Sequence, residues 1–215
     1  MRRRAVILVA ADKGLCGALN TNVFRVASQF DPDTTVFITA GRRAAQFVAR
    51  SRRLLAAEFP YGDTPTFPEA RAIAGMARDL FLKGEVDEVT VVSIRYVNTL
   101  TQEPIAGEFL PIGEIRKMKI PGIGAEDPAA DAVEAVFEPD TGSVLGYLLE
   151  RYLNIYLYVI LLNAKASEQS ARMVSMKNAT DAAETLIKDL QLEYNKLRQG
   201  NITKELLEIQ GGQAG

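Results

Sequence analysis

Residues 147–199 of this 215-residue chain contain neither proline nor glycine, while all nine prolines fall before residue 140. Inside a helix proline costs about 3 kcal/mol and glycine about 1 kcal/mol, so this stretch is predicted to be one uninterrupted helix. Its register can be counted. Stepping alternately three and four residues from Leu145 passes Leu148, Tyr152, Ile155, Val159, Leu162, Ala166, Gln169, Met173, Met176, Thr180, Ala183, Ile187, Leu190, Tyr194 and Leu197. Fourteen of these sixteen positions are apolar, the exceptions being Gln169 and Thr180. Such an alternation, sustained over about seven heptads, is a coiled-coil seam. A helix over 143–210 would be roughly 100 Å long, more than a compact domain of this size needs. The seam therefore requires a partner. After Leu197 the phase lapses, and Ile202, Leu206 and Ile209 continue on another face. Gly200 either caps the helix before a short terminal one or is a position the helix runs through.

The preceding residues read as alternating strands and helices. Ala5–Ala11 is a continuous apolar run, the pattern of a strand buried on both faces. Asn20 or Thr21 is placed to cap a helix reaching Gln29. A second strand is expected at Thr35–Ala40 and a basic amphipathic helix at Arg42–Arg53. Pro68 suits the first turn of a helix that continues to Lys83 and stops at Gly84. Glu88–Val97 is a third strand, and Glu108–Ile112 a fourth beside it. Residues 113–139, rich in Gly, Pro and acidic groups, form an excursion. The fold class expected is α/β: a small Rossmann-like parallel or mixed sheet with flanking helices, then one very long C-terminal coiled-coil helix. The division expected is residues 1–140 for the globular part and 141–215 for the helix.

Composition removes several function classes. The chain has no His and one Cys. Nucleophilic sites that need imidazole, His-containing metal sites, internal disulfides and dithiol switches are therefore all excluded. A net charge of −2 argues against a nucleic-acid binder. Within that total the charge is segregated: ten basic against four acidic groups over 1–58, seven against fifteen over 59–142, and eight against eight over 143–215. The asymmetry fits docking surfaces of opposite sign as well as an unevenly solvated surface. Met1–Arg4 followed by Ala5–Ala11 imitates a signal peptide, but the apolar stretch is short and stops at Asp12-Lys13. Tyr152–Leu162 is about half a membrane span, so no direct membrane span is expected.

The turn Asp12-Lys13-Gly14-Leu15-Cys16-Gly17 stands where a dinucleotide fold binds phosphate, yet it matches neither the G-x-G-x-x-G nor the P-loop pattern. It reads as a tight strand-to-helix turn with a buried thiol at Cys16. An acid–base pair of Asp12 and Lys13 has no supporting constellation. No cofactor or metal is called for.

Three segments carry a resemblance to a known family. Ala166-Ser167-Glu168-Gln169-Ser170-Ala171-Arg172-Met173-Val174-Ser175-Met176-Lys177-Asn178-Ala179-Thr180-Asp181 closely resembles the signature of the gamma subunit of F-type ATP synthase. The segments Tyr194–Ile209 and Asp12–Asn22 are similar to further stretches of it, and Asn98–Gln102 and Phe137–Asp140 fall where other landmarks fall. The resemblance covers essentially the whole chain. It implies a non-enzymatic central-stalk rotor subunit that couples proton-driven rotation of the membrane ring to ATP synthesis or hydrolysis. The implied partners are the alpha and beta subunits of the catalytic hexamer, the epsilon subunit and the membrane c-ring. The implied position is peripheral, on the inner face of the bacterial plasma membrane or its organellar equivalent. By motif position, Arg172, Lys177, Asn178, Asp181, Gln199, Thr203 and Glu205 would contact the hexamer. Glu138 would lie near the membrane ring, and Met173, Met176, Thr180, Ala183, Ile187, Leu190, Tyr194 and Leu197 would form the seam. The family places a long helix before its first strand, whereas only Met1–Arg4 precede it here. A missing N-terminal helix is thus the expected partner of the seam. The rival reading is a nucleotide-binding α/β protein that oligomerises through its C-terminal helix.

If the heptad phase is right, Met176→Asp weakens assembly with the partner subunits more than Lys177→Ala, because it sets a charge into the seam. A co-purification assay reads the difference, and equal effects would mean the phase is wrong.

Overall fold

A computed structural model describes residues 3–112 and 141–212. Glu138, with the rest of the Phe137–Asp140 landmark and the 113–139 excursion, lies outside the described residues. Nine elements follow in order: β1 (Arg4–Val9), α1 (Leu19–Ala27), β2 (Thr35–Ala40), α2 (Arg42–Arg50), β3 (Leu54–Phe59), α3 (Phe67–Leu82), β4 (Glu88–Tyr96), β5 (Gln102–Leu110) and α4 (Thr141–Gly212).

The strands form one sheet in the order β3-β2-β1-β4-β5. All pairs are parallel except β4–β5, which is antiparallel. β1 is central, and Ala5 to Val9 are fully buried, as the unbroken apolar run requires. One face of the sheet packs Val6, Leu8, Phe37, Val92 and Ile94 against α1 and α2. The other packs Ile7, Val9, Ile38, Val89 and Val91 against α3 and the first half of α4.

Three local expectations are corrected. β3 was not anticipated. Its sequence, LLAAEF, contains no β-branched residue and is rich in helix formers, so pairing with β2 imposes the extended state on it. It is an edge strand, and Leu54 and Leu55 remain exposed. β5 begins at Gln102, well before the expected Glu108, and as an edge strand it tolerates Pro104. The Asn98–Gln102 landmark is the hairpin turn that sets its register: the Asn98 carboxamide oxygen accepts from the N–H groups of Leu100 (2.9 Å) and Thr101 (2.8 Å). Finally, α1 starts at Leu19 behind Ala18, without a side-chain cap. Asn20 lies inside the helix, and its carboxamide oxygen accepts from the Ala11 N–H at 3.1 Å.

α3 follows its sequence signals closely. Thr66 and Glu69 form a reciprocal capping box, Pro68 sits in the first turn, and Gly84 beyond the helix adopts a left-handed φ of +68°. Burial opposes ionisation of Glu69, but bonds from Thr66 and Gly62 outweigh it and hold its carboxyl below the usual range.

α4 is a single helix of 72 residues. It runs through Gly200, so the cap considered there does not form; the cost of one glycine, about 1 kcal/mol, does not break a helix this long. Over residues 153–168 it has two distinct sides. Leu153, Leu157, Ile160, Leu161 and Ala164 are buried against the sheet and α3. The counted seam lies elsewhere on the cylinder: Tyr152, Ile155 and Val159 are half-buried, and Leu162 and Ala166 are exposed. Tyr156 reaches the sheet beside Phe109, over Gly107, where a Cβ would stand 3.4 Å from the phenol oxygen. Phe67 meets Tyr158 edge-on, and Arg78 pairs with Glu150 at 2.7 Å. By length and apolar content alone α4 could cross a membrane, and part of its apolar surface, from Leu153 to Ala164, here covers the sheet. The described residues divide into two compact units between Met173 and Val174. In the second, every side chain described from Met176 to Ile209 is exposed.

Leu157→Ala is expected to destabilise the sheet-containing unit by about 3 kcal/mol, the cost of a buried leucine truncated in a packed core. Leu162→Ala, five residues on but 38% exposed, is expected to cost less than about 1 kcal/mol. Denaturant unfolding followed at the sheet reads both.

Candidate functional site

The turn after β1 is held by its own side chains. The Asp12 carboxylate accepts from the Arg42 N–H at 2.8 Å, at the start of α2, where helix donors are unpaired. Gly41, at φ +96°, closes the same corner, and a Cβ there would stand 2.1 Å from the Ala10 carbonyl oxygen. Tyr61 donates to that carbonyl at 3.0 Å, and burial pushes its phenol well above the usual range. Leu15 and Gly17 take left-handed backbone conformations. Cys16 is buried, and burial raises its thiol pKa, offset in part by Arg172.

In an open α/β sheet a ligand sits beyond the carboxyl ends of the strands, where the strand order reverses. Here that reversal is at β1 between β2 and β4. Donors that a phosphate would use there, the Ala11 N–H and the first amide of α2, are taken by Asn20 and Asp12. The carboxylate of Asp12 at the α2 N-terminus would repel an anion. The turn is built as a structural corner.

From this corner a chain of charges leads into α4. Lys13 pairs with Asp63 at 3.0 Å, and Asp63 with Lys165 at 3.1 Å. Lys165 pairs with Glu168 at 3.0 Å, and Glu168 with Arg172 at 2.5 Å. Lys165 and Glu168 are 4% and 0% exposed, so two ionised groups stand inside the fold and each is matched. Lys165 also lies over the Tyr61 ring, 5.5 Å from its centroid. Burial alone would depress the Lys165 pKa, but the bonds to Glu168 and Asp63 outweigh it and hold the ammonium above its usual value. Bonds from Lys13 and Lys165 hold the Asp63 carboxyl below the usual range. Three separate pieces of chain, the β1 turn, the segment before α3 and about two turns of α4, are tied together.

The expected contact residues fall into different settings. Arg172 donates to Glu168 and, at 3.0 Å, to Gln169, with 21% of its side chain exposed. Lys177, Asn178 and Asp181 are all exposed; Lys177 and Asp181, four residues apart, share a face. Gln199 and Thr203 are joined, the Thr203 hydroxyl donating to the Gln199 carbonyl at 2.9 Å. Glu205, two residues further, points about 200° away from Thr203 around the axis. Lys177 and Gln199 are separated by about 33 Å of helix, so these residues do not converge on one site. In the seam, the Thr180 hydroxyl donates to the Met176 carbonyl at 3.0 Å. The Thr180 hydroxyl proton is thus satisfied within α4 itself. Met173, Met176, Ile187, Leu190, Tyr194 and Leu197 are large apolar side chains left exposed, and Ala183 is exposed between them.

The chain has counterparts among known proteins. A family model described as ATP synthase matches residues 1–215. The ATP synthase gamma chain of Opitutus terrae is 43% identical over 99% of this chain and 74% of its own length. The chain belongs to the ATP synthase gamma-chain family. The gamma chain of Polynucleobacter asymbioticus is 40% identical over 100% of this chain and 74% of its own length. A chain in the cryo-EM structure of the Tetrahymena thermophila mitochondrial ATP synthase central stalk and c-ring shares the fold, with a TM-score of 0.64, 24% identity, and coverage of 83% of this chain and 77% of that one. One in the Euglena gracilis mitochondrial ATP synthase, rotational state 3, has a TM-score of 0.67 at 24% identity, covering 99% and 72%.

As a gamma-chain family member, this protein is a subunit of a membrane-associated ATP synthase. Glu168 lies within the signature segment, but nothing in the sequence assigns a role to it, to Asp63 or to Lys165. A Glu four residues before an Arg is a visible helix pair. Nothing local to Asp63 reveals that a lysine a hundred residues later will reach it.

Glu168→Gln leaves Lys165 without its buried counter-charge and is expected to cost about 3 kcal/mol, measured by thermal or denaturant unfolding. The Asp63 ties are complete above the ordinary Asp pKa of about 3.9 and are lost as pH falls through the depressed folded value. Asp63→Asn should therefore flatten the fall in melting temperature over that acid range.

Proposed function

We propose that this chain is the rotor shaft of the synthase, a mechanical part that performs no bond chemistry itself. Residues 1–140 act as the foot, held against the epsilon subunit and the membrane c-ring, with Glu138 near the ring. Residues 141–215 act as the shaft inside the hexamer of alpha and beta subunits. Arg172, Gln199, Thr203 and Glu205 make polar contacts to that hexamer, and the Lys177–Asp181 group faces its moving lower lobes. The complex would sit on the inner face of the bacterial plasma membrane.

The observation that carries this reading is α4. It is one helix of 72 residues whose heptad seam, from Met173 to Leu197, is left uncovered by the described part of this chain. A shaft needs length, bending stiffness and a surface that differs from side to side, so that rotation changes what each surrounding subunit meets. The outward groups of α4 supply that asymmetry. The closed corner at Asp12 and Gly41 argues against the nucleotide-binding rival, and the structural neighbours, a central stalk with c-ring and a synthase in a defined rotational state, support the shaft reading.

Reconstitution tests it. Added to the catalytic hexamer together with a synthetic helix that completes the coiled coil, the chain should restore coupled ATPase activity. Gln199→Ala/Thr203→Ala should lower that activity about fivefold if one neutral hydrogen bond, roughly 1 kcal/mol, is lost. Tight stoichiometric binding of ATP by the chain alone, with no restored coupling, would sink the assignment.

A further inference from the structure

The basic excess of residues 1–58 collects on the face of the sheet opposite α4. Arg25 in α1, Arg42, Arg43 and Arg50 in α2, and Arg52 just beyond it are all exposed. None of the five pairs with a carboxylate among the described residues. Arg4 and Arg53 are different: the first pairs with Glu88, and the second is spent on the Phe30 and Ser28 carbonyls and the Phe37 ring. Arg43 donates to the Gln46 carboxamide oxygen at 3.4 Å, but guanidiniums without a carboxylate, concentrated on one face, leave a positive charge that the described fold does not neutralise.

Two of them flank a groove. Phe24 of α1 and Phe47 of α2 stack in parallel, with ring centroids 4.5 Å apart and planes within 4°. Both rings are half-buried, and they floor a groove of about 350 Å³ whose remaining lining is Arg43, Gln46, Arg50 and Ser51. Arg43, Phe47 and Arg50 stand at i, i+4 and i+7 on one face of α2, which spaces the Cα atoms of the two arginines about 10 Å apart along the axis.

We propose that this groove docks an acidic amphipathic helix of a partner protein, with carboxylates two turns apart bracketing one aliphatic side chain. The carboxylates would meet Arg43 and Arg50, whose planar forks suit them, while the aliphatic group would rest on the stacked rings. The rings lie sunk between the two helices instead of standing out as wedges, which disfavours insertion into a lipid surface. The −8 balance of residues 59–142 would repel an extended polyanion such as nucleic acid. This surface is separate from the α4 seam, and the proposal stands whether or not the chain is a shaft.

The test uses the full chain and a fluorescein-labelled synthetic peptide of about four turns, with Glu at two positions seven apart and Leu between them. The expected result is saturable binding that weakens about tenfold or more in Arg43→Glu/Arg50→Glu and with rising salt. The equally charged control Arg25→Glu/Arg52→Glu, outside the groove, should bind within about twofold of the parent, because its arginines act only through the general field. Four outcomes overturn the proposal: no saturable binding; binding to the α4 seam alone, seen as indifference to Arg43→Glu/Arg50→Glu; equal losses in both charge variants; or the same Arg43 and Arg50 dependence shown by phosphatidylglycerol vesicles and not by the peptide.

Discussion

The two-sidedness of α4 is the constraint from which the rest of the structure follows. Between residues 153 and 168 one side must cover a sheet while the other keeps a heptad seam free. Covering the sheet is hydrophobic work: Leu153, Leu157 and Leu161 each contribute about 2 kcal/mol of burial. Hydrophobic burial does not specify register well, since a helix slid by a turn would bury similar side chains. The Lys165–Glu168–Arg172 ladder, continued through Asp63 to Lys13, supplies that specification, because a slip would leave a charge unmatched inside the fold.

The same ladder explains the corner after β1. A fold of this topology ordinarily keeps that corner open for a ligand, with glycines and free amide donors. Here Asp12, Asn20 and Tyr61 use those donors and acceptors internally. The corner becomes an anchor for α4. The opposite face of the sheet, with its unpaired arginines, is then free to serve a different contact.

Much of this was legible beforehand, and the failures have physical reasons. Periodic, long segments announced themselves: β1 through its unbroken apolar run, α3 through Thr66, Pro68 and Gly84, and α4 through the absence of helix breakers. β3 was missed because LLAAEF carries no local preference for an extended state and becomes a strand only beside β2. The start of α1 was misplaced because Asn20 has the chemistry of a cap, yet a backbone amide of the β1 end claims its side chain. The seam count describes one apolar stripe, but α4 carries a second apolar face in its first half. Counting on one sequence finds periodicities without telling which one faces the sheet.

Local chemistry alone determined that this chain would carry one very long helix with an exposed seam, because helix breakers and heptads act through neighbours on the same helix. It also excluded imidazole chemistry outright, since the residue is missing. Tertiary structure alone decided which side of α4 meets the sheet, and that Lys165 and Glu168 could be buried as ions. Both depend on Asp63 and Lys13 arriving from distant parts of the chain, and a charge is stable inside a fold only where its partner has been brought to it.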